Sequence, residues 1–354
     1  MLVRDFDFDL PSELIAQEPA ADRSGARLLH LPRHTGAITH SVVSALPGLL
    51  RAGDLLVVNN TRVFPARLLG RRVPSGGAVE CLLIARLDPG EDSGGGERWE
   101  ALMHPGQKLK PGAEVVFDGD ALLHGEVLDR RFFGRRVIRL WTDGGSSVQD
   151  VVDRIGHVPL PPYIKRDDQM SDRERYQTVF ADARGSIAAP TAGLHFTDAL
   201  VTALGDRGIS LVEITLHVGY GTFQPVRVEH VEDHRLEPER FTMSEAAAQD
   251  INDALDQKRR VVAVGTTTTR TLEAVALQHG GRVAAGSGTT GLFIFPGFDF
   301  KVVTGLLTNF HLPQSSLLML VSAFAGRERV LAAYGEAIRE RYRFYSYGDA
   351  MLIL

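Results

Sequence analysis

Between Arg62 and about Asp153 the chain changes texture, and that change restricts the folds open to it. The segments ARLLGRR, GGAVECLLIARL, ERWEALMHPGQKL, AEVVF and RRVIRLW are short apolar runs broken by glycine. They have the length of strands, and nothing among them reads as a helix of useful length. Asp88–Glu97 (DPGEDSGGGE) reads as a long hairpin tip. Outside this interval the pattern differs. Gly53–Val58 (GDLLVV) reads as a buried strand ending in the turn residues Asn59, Asn60 and Thr61. After Asp153, strands are expected at Ser210–His217 and Val261–Val264. Helices are expected around Leu200–Leu204, over Ser244–Lys258 behind a serine start, and over Thr271–Gln278. Such alternation builds an α/β domain, whereas glycine-broken short strands build a small β-rich one. The early strand at 53–58 needs a sheet to join, so the β-rich unit interrupts the α/β domain. The expected organisation is an α/β domain from 1–62 and 157–354, with a β-rich domain at 63–156 inserted into it.

Composition supports two folded units. The chain has 354 residues, 44% hydrophobic and 23% charged, enough for sizeable cores and too apolar for global disorder. Cys81 is the one cysteine, which excludes an intrachain disulfide and a cysteine-based zinc site. The start MLVRDFDFDL lacks the basic and apolar regions of a signal peptide. The apolar run Leu317–Ala325 is about half the length of a membrane-crossing helix. A cytoplasmic protein without membrane contact is expected, and a monomer. The net charge of −5 argues against a broad nucleic-acid-binding surface. Locally, however, Leu128–Leu140 (LDRRFFGRRVIRL) carries five arginines against one acid, and Arg339, Arg341 and Arg343 cluster around Tyr342. Taken alone, each patch reads more simply as a solvated strand or helix.

Four stretches carry chemistry. In VVAVGTTTTRTLEAVA, Val261–Ala276, a buried strand runs through a glycine and four threonines into a helix bearing Arg270 and Glu273. Free amides at a helix start favour an anion. A capped turn would need no ligand, but the forked donor of Arg270 tips the reading toward a bound carboxylate or phosphate. The stretch has no Gly-Lys-Ser/Thr and no dinucleotide fingerprint. AAPTAGLHF, Ala188–Phe196, places His195 beside Pro190 and Gly193; LHVGYGTFQPV, Leu216–Val226, places His217 beside Gly219 and Gly221; TNFHLPQSSLLML, Thr308–Leu320, places His311 beside Pro313, ahead of a helix capped near Ser315. A single histidine is more often a structural hydrogen-bonder. Three, each ending an element beside glycine or proline, point to a shared pocket. Their spacing has no HExxH-like pattern, and no metal is expected. GHVPLPPYIK, Gly156–Lys165, is a stiff return whose Tyr163, Lys165 and neighbouring Arg166 could face a polyanion, or a plain linker.

These blocks, with NNTRVFPARL, RYQTVF, FPGFDFKVVTGLLTNFHLPQSSLLMLVSAFAG, YRFYSYGDAM and the N-terminal DFDFDLPSELIAQEP, run in order along the chain. Together they resemble the S-adenosylmethionine:tRNA ribosyltransferase-isomerase family of queuosine biosynthesis. The resemblance implies an α/β domain with an inserted β-barrel-like domain. It implies transfer and isomerisation of the ribosyl group of S-adenosylmethionine onto 7-aminomethyl-7-deazaguanine at the tRNA wobble position, giving epoxyqueuosine-tRNA, adenine and methionine. S-adenosylmethionine would be a co-substrate, with no prosthetic group. Two places depart from the family's pattern. Its His-x-Met-His-x-Glu is here His234-Arg235-Leu236-Glu237-Pro238-Glu239, so the second imidazole is lost; its GTTSVR is here Gly265–Arg270, GTTTTR, which keeps the arginine.

Such a reaction starts by removing a proton from the ribose 5′ carbon beside the sulfonium, for which histidine suits neutral pH. The departing adenine needs a proton donor or hydrogen bond, and the co-substrate's carboxylate needs a cation, for which Arg270 is the candidate. The expected catalytic residues are His195, His217, His311 and Glu273. Expected substrate-binding residues are Asn60, Arg62, Thr191, Gly193, Gly219, Thr222, Arg270 and Asn309. Expected tRNA contacts are Arg130, Arg131, Arg135, Arg136, Lys165 and Arg343. Two other classes compete: a non-catalytic RNA binder, which would not need the glycine–histidine loops, and an ordinary methyltransferase, which would carry a glycine-rich loop after its first strand.

Overall fold

The structure is a computed structural model describing residues 1–88, 96–117, 123–223 and 225–354, apart from the side chains of Phe133, Thr222 and Phe223. Two compact units result. The larger comprises Met1–Arg62, Pro162–Arg166 and Arg175–Leu354; the smaller comprises Val63–Pro161 and Asp167–Glu174. Residues 157–161 and 167–174 therefore go with the β-rich unit, although the sequence reading puts them in the α/β one. In chain order the strands are β1 (Arg27–Leu31), β2 (Thr39–Val42), β3 (Leu55–Asn59), β4 (Thr61–Val63), β5 (Arg67–Val73), β6 (Ala78–Arg86), β7 (Glu97–His104), β8 (Glu114–Phe117), β9 (Leu123–Arg130), β10 (Arg135–Thr142), β11 (Ala183–Ser186), β12 (Ser210–Leu216), β13 (Glu239–Met243), β14 (Val261–Val264), β15 (Gly286–Thr290), β16 (Gly305–Asn309) and β17 (Ala350–Ile353). The helices are α1 (Leu46–Leu49), α2 (Val148–Ile155), α3 (Asp172–Arg175), α4 (Asp198–Asp206), α5 (Glu245–Asp256), α6 (Thr266–Gln278), α7 (Ser316–Ala325) and α8 (Arg327–Arg339).

The larger unit is built on a nine-stranded mixed sheet in the order β15-β13-β12-β3-β14-β16-β17-β1-β2. Its centre, β12-β3-β14-β16, is parallel. Parallel strands are covered on both faces and read as unbroken apolar runs, and every residue of β3, β14 and β16 is buried. In β3, Leu55 and Val57 join a core with Ile251 of α5, Leu272 of α6 and Leu318 of α7, while Leu56 and Val58 join another with Leu200 and Leu204 of α4. Hydroxyl caps set the helix starts: Thr197, Ser244 and Ser315 accept from the amides of Leu200, Ala247 and Leu318 at 3.1–3.2 Å. Helix α6 begins five residues before the expected Thr271. Threonine is a poor helix former, but here the hydroxyls of Thr268, Thr269 and Thr271 bond back to carbonyls four residues earlier, which lets them sit buried.

The smaller unit is a closed antiparallel barrel in the order β10-β7-β6-β5-β8-β9. Alternation does the work, with Val79, Cys81 and Leu83 of β6 and Trp99, Ala101 and Met103 of β7 buried while their neighbours face outward or half-outward. Register breaks between Leu83 and Ala85 and between Val137 and Ile138 help bend the sheet closed. The sequence reading expects no helix here, yet α2 forms, capped by Ser147, with Val148, Val151 and Val152 on one buried face. The hairpin tip expected at Asp88–Glu97 falls mostly on residues 89–95, outside the described ones. The fold class is the expected one, α/β with a closed six-stranded barrel. Among the described residues, no helix is long and apolar enough to cross a membrane.

Candidate active site

At the carboxyl end of β14, Gly265 turns the chain with φ +95°, a conformation that favours glycine. Helix α6 begins at the next residue, and no side chain caps it. The first amide to bond back is that of Thr269, to the Gly265 carbonyl at 3.2 Å. The neighbouring β16 runs parallel to β14 with Leu307 opposite Val264, so Thr308 and Asn309 emerge at the same end of the sheet. The loop Ala188–Ala192, the tilted ring pair Tyr163–Tyr345 (centroids 4.1 Å apart) and His311 complete the wall of a cavity of about 540 Å³. That volume suits a nucleoside-sized ligand. Among the described residues no charged side chain lines it.

His311 is 7% exposed, and its Nε2 lies 2.9 Å from the Thr308 hydroxyl. Burial pushes its pKa down to about 3, so the imidazole is neutral across the physiological range. When Nε2–H donates to Thr308, Nδ1 is left to accept a proton. Behind the cavity wall, the Asn309 amide nitrogen donates to the Tyr345 carbonyl at 3.1 Å and meets His195 Nε2 at 3.2 Å. Nε2 therefore accepts, which places the ring proton on Nδ1. Burial, reinforced by the positive charge of Arg343, pushes His195 down to about 4. Asn309 is 2% exposed, and its Oδ1 has no partner among the described residues; neither has the Tyr345 hydroxyl.

The four expected catalytic residues separate. Only His311 lines the cavity. His195 ends the 3-10 turn Thr191–His195, where the Gly193 amide donates to the Pro190 carbonyl at 2.8 Å, and faces Asn309 rather than the open space. His217 bonds Thr61 through Nδ1 at 2.8 Å and lies flat on Gly185, where a Cβ would come within 2.7 Å of its ring. Glu273 accepts from the amides of Lys301, Val302 and Val303 at 2.8–3.0 Å and so secures a loop of its own chain.

Of the expected binding residues, Thr191 and Asn309 line the cavity and Arg270 does not. Its buried guanidinium pairs with Glu239 at 2.6 Å and donates to the carbonyls of Leu292 and Thr290. The carboxylate expected from a ligand is thus supplied by residue 239. The Gly219 amide bonds the same Glu239 at 2.9 Å. Asn60 is bonded to Glu213 and Thr215, Gly193 is buried in its turn, and Arg62 is exposed away from the lining. The side chain of Thr222 lies outside the described ones.

Residues 3–353 match the family model described as queuosine biosynthesis protein. The chain belongs to that family. A relative named S-adenosylmethionine:tRNA ribosyltransferase-isomerase, from Desulfitobacterium hafniense, is 51% identical over 354 residues, the whole of both chains. A namesake from Heliobacterium modesticaldum is 50% identical over 349 residues, 99% of this chain and 98% of that one. The crystal structure of an S-adenosylmethionine tRNA ribosyltransferase from Thermotoga maritima is 37% identical, with a TM-score of 0.55 over 99% of this chain and 100% of that one.

In this queuosine biosynthesis protein the barrel's arginines also differ from expectation. Arg136 is 1% exposed and donates to the carbonyls of Leu109, Arg135 and Gly106, so its guanidinium is engaged within the barrel. Arg135 is half-buried against Glu100 at 3.3 Å. Arg130 and Arg131 are exposed, the latter within 3.7 Å of Glu100. In the larger unit Lys165 is exposed, and Arg343 reaches the Glu18 carbonyl at 3.4 Å. Sequence reading missed Tyr345; it expected free amides at a helix start after GTTTTR, but began that helix at Thr271. Tyr345 has φ +76°, which is rare for a bulky side chain. The crowded YRFYSYGDAM hints at it.

Proposed function

We propose that this chain transfers and isomerises the ribosyl group of S-adenosylmethionine onto 7-aminomethyl-7-deazaguanine at the tRNA wobble position, releasing adenine and methionine. The match to relatives of that name along the whole chain carries the reading. A cavity at parallel strand ends, the usual place for a ligand in such sheets, supports it. A neutral His311 in that cavity is the candidate base for the proton beside the sulfonium. His195 is a positioning residue, fixing the amide of Asn309 against the site. The tyrosine pair offers a stacking surface for adenine. Arg130, Arg131, Lys165 and Arg343 are the remaining candidates for phosphate contact. A non-catalytic RNA binder finds no support among the relatives.

The test is incubation of the protein with S-adenosylmethionine and an anticodon stem-loop carrying the precursor base. Free adenine and methionine are expected in step with the modified base. Release of S-adenosylhomocysteine would make the protein a methyltransferase, and no release would leave an RNA binder.

A further inference from the structure

With Arg270 paired to Glu239 and outside the cavity lining, the amino-acid end of the ribosyl donor lacks its expected anchor there, and the cavity offers another. Among the described residues no charged side chain lines it, so dipoles and neutral polar groups are what they offer a bound zwitterion. Two helices begin there. Ser315 at the start of α7 accepts from the Leu318 amide, which satisfies that end. The 13-residue α6 has no side-chain cap, and Gly265, Thr266 and Thr267 at its start line the cavity. Free amides with the helix dipole behind them favour a carboxylate. A second observation is independent of the helix: Asn309, at the end of the adjacent parallel strand and 2% exposed, has Oδ1 without a partner. Its amide nitrogen is committed to Tyr345 and His195, which fixes which atom is left open. A buried acceptor without a donor is costly unless a ligand supplies one.

We infer that the start of α6 and Asn309 Oδ1 form a subsite for an α-amino acid, the amides of Thr266 and Thr267 taking the carboxylate and Asn309 Oδ1 the ammonium. This rests on the ribosyl-donor reading above and specifies which end of the donor lies where: the methionine end at β14 and β16, the adenine toward Tyr163 and Tyr345.

Calorimetric titration of the intact protein tests it with four probes: S-adenosylmethionine, its decarboxylated form, S-adenosylhomocysteine and the desamino analogue of the latter. Removal of the carboxylate is expected to weaken binding about tenfold or more, and removal of the amine similarly, as charged hydrogen bonds are lost. Equal binding with and without the carboxylate overturns the helix anchor; equal binding with and without the amine overturns the role of Asn309. Thr267→Asp sets a competing carboxylate against the same amides. It should weaken S-adenosylmethionine about tenfold and leave the decarboxylated form unaffected; equal weakening of both overturns the placement. If none of the four probes binds the wild type, the ribosyl-donor reading falls together with the subsite, whereas tight binding indifferent to the amino-acid end removes the subsite alone.

Discussion

One helix, α6, carries two kinds of polar chemistry, and they divide along its length. In its interior, Arg270 and Glu273 are charged and buried, and their chain satisfies them: Glu239 and two carbonyls for the first, three consecutive amides for the second. At its start there is no charge, yet the helix is uncapped and the neighbouring Asn309 keeps an unpartnered oxygen. A buried ion can persist only where its partners are already in place. A ligand site, by contrast, keeps polar groups unpaired until the ligand comes. In this protein the residues that look most chemical in the sequence are the committed ones, and the open groups are neutral.

Substitution of His311 sharpens this contrast most. His311→Gln should leave a folded protein that still binds S-adenosylmethionine, while adenine release falls by about a hundredfold to ten-thousandfold, the range for a lost general base. An unchanged rate would move the proton transfer elsewhere. Arg270→Met tests the committed end. Stranding Glu239 in a buried site should cost about 3–5 kcal/mol in urea unfolding, and adding Glu239→Leu should recover much of it. Weaker S-adenosylmethionine binding by a fully folded Arg270→Met protein, without loss of stability, would return the arginine to the ligand.

Much of the scaffold was legible because one signal settles each element. Unbroken apolar runs gave β3 and β14, and the hydroxyl caps at Ser244 and Ser315 gave the starts of α5 and α7. The site was legible only in part. His311, Asn309 and Thr191 stand at element ends, and the cavity does gather them. The pairing of Arg270 could not be read, because its partner Glu239 lies 31 residues away at the end of the His234–Glu239 stretch, and no spacing links the two. His217 is similar: Gly185, which makes room for its ring, is 32 positions earlier. Sequence spacing shows which groups can meet a ligand, whereas long-range pairing decides which are still free to.

The two buried histidines give the contrast a pH dependence. His195 falls from its ordinary 6.5 to about 4, and His311 to about 3, both mainly through burial. Each is neutral in the folded protein and gains its proton more readily when unfolded. Their stabilising contribution is therefore complete above pH 6.5 and is lost as the pH falls toward 4 and 3. For His195 the loss by pH 4 is about 3 kcal/mol. Urea unfolding of His195→Gln should show a shallower decline from pH 6.5 to 4 than the wild type. Parallel declines would mean that the imidazole is hydrated or already charged, and that Asn309 is not held as described.

The barrel repeats the division on a smaller scale. Arg136 and Arg130 are six residues apart in sequence and paired across β9 and β10. The first is buried with three carbonyls as acceptors, whereas the second is exposed. If RNA phosphates bind here, only the exposed member can release counterions. Arg130→Gln and Arg131→Gln should each reduce the slope of log affinity for the anticodon stem-loop against log salt by about one unit, a modest loss at any one salt concentration. Arg136→Met should leave that slope unchanged while lowering the barrel's unfolding midpoint, since three carbonyls lose their donor. A reduced slope from Arg136→Met in a protein of unchanged stability would show that the guanidinium leaves its carbonyls for RNA, and that burial is a poor guide to function in this unit.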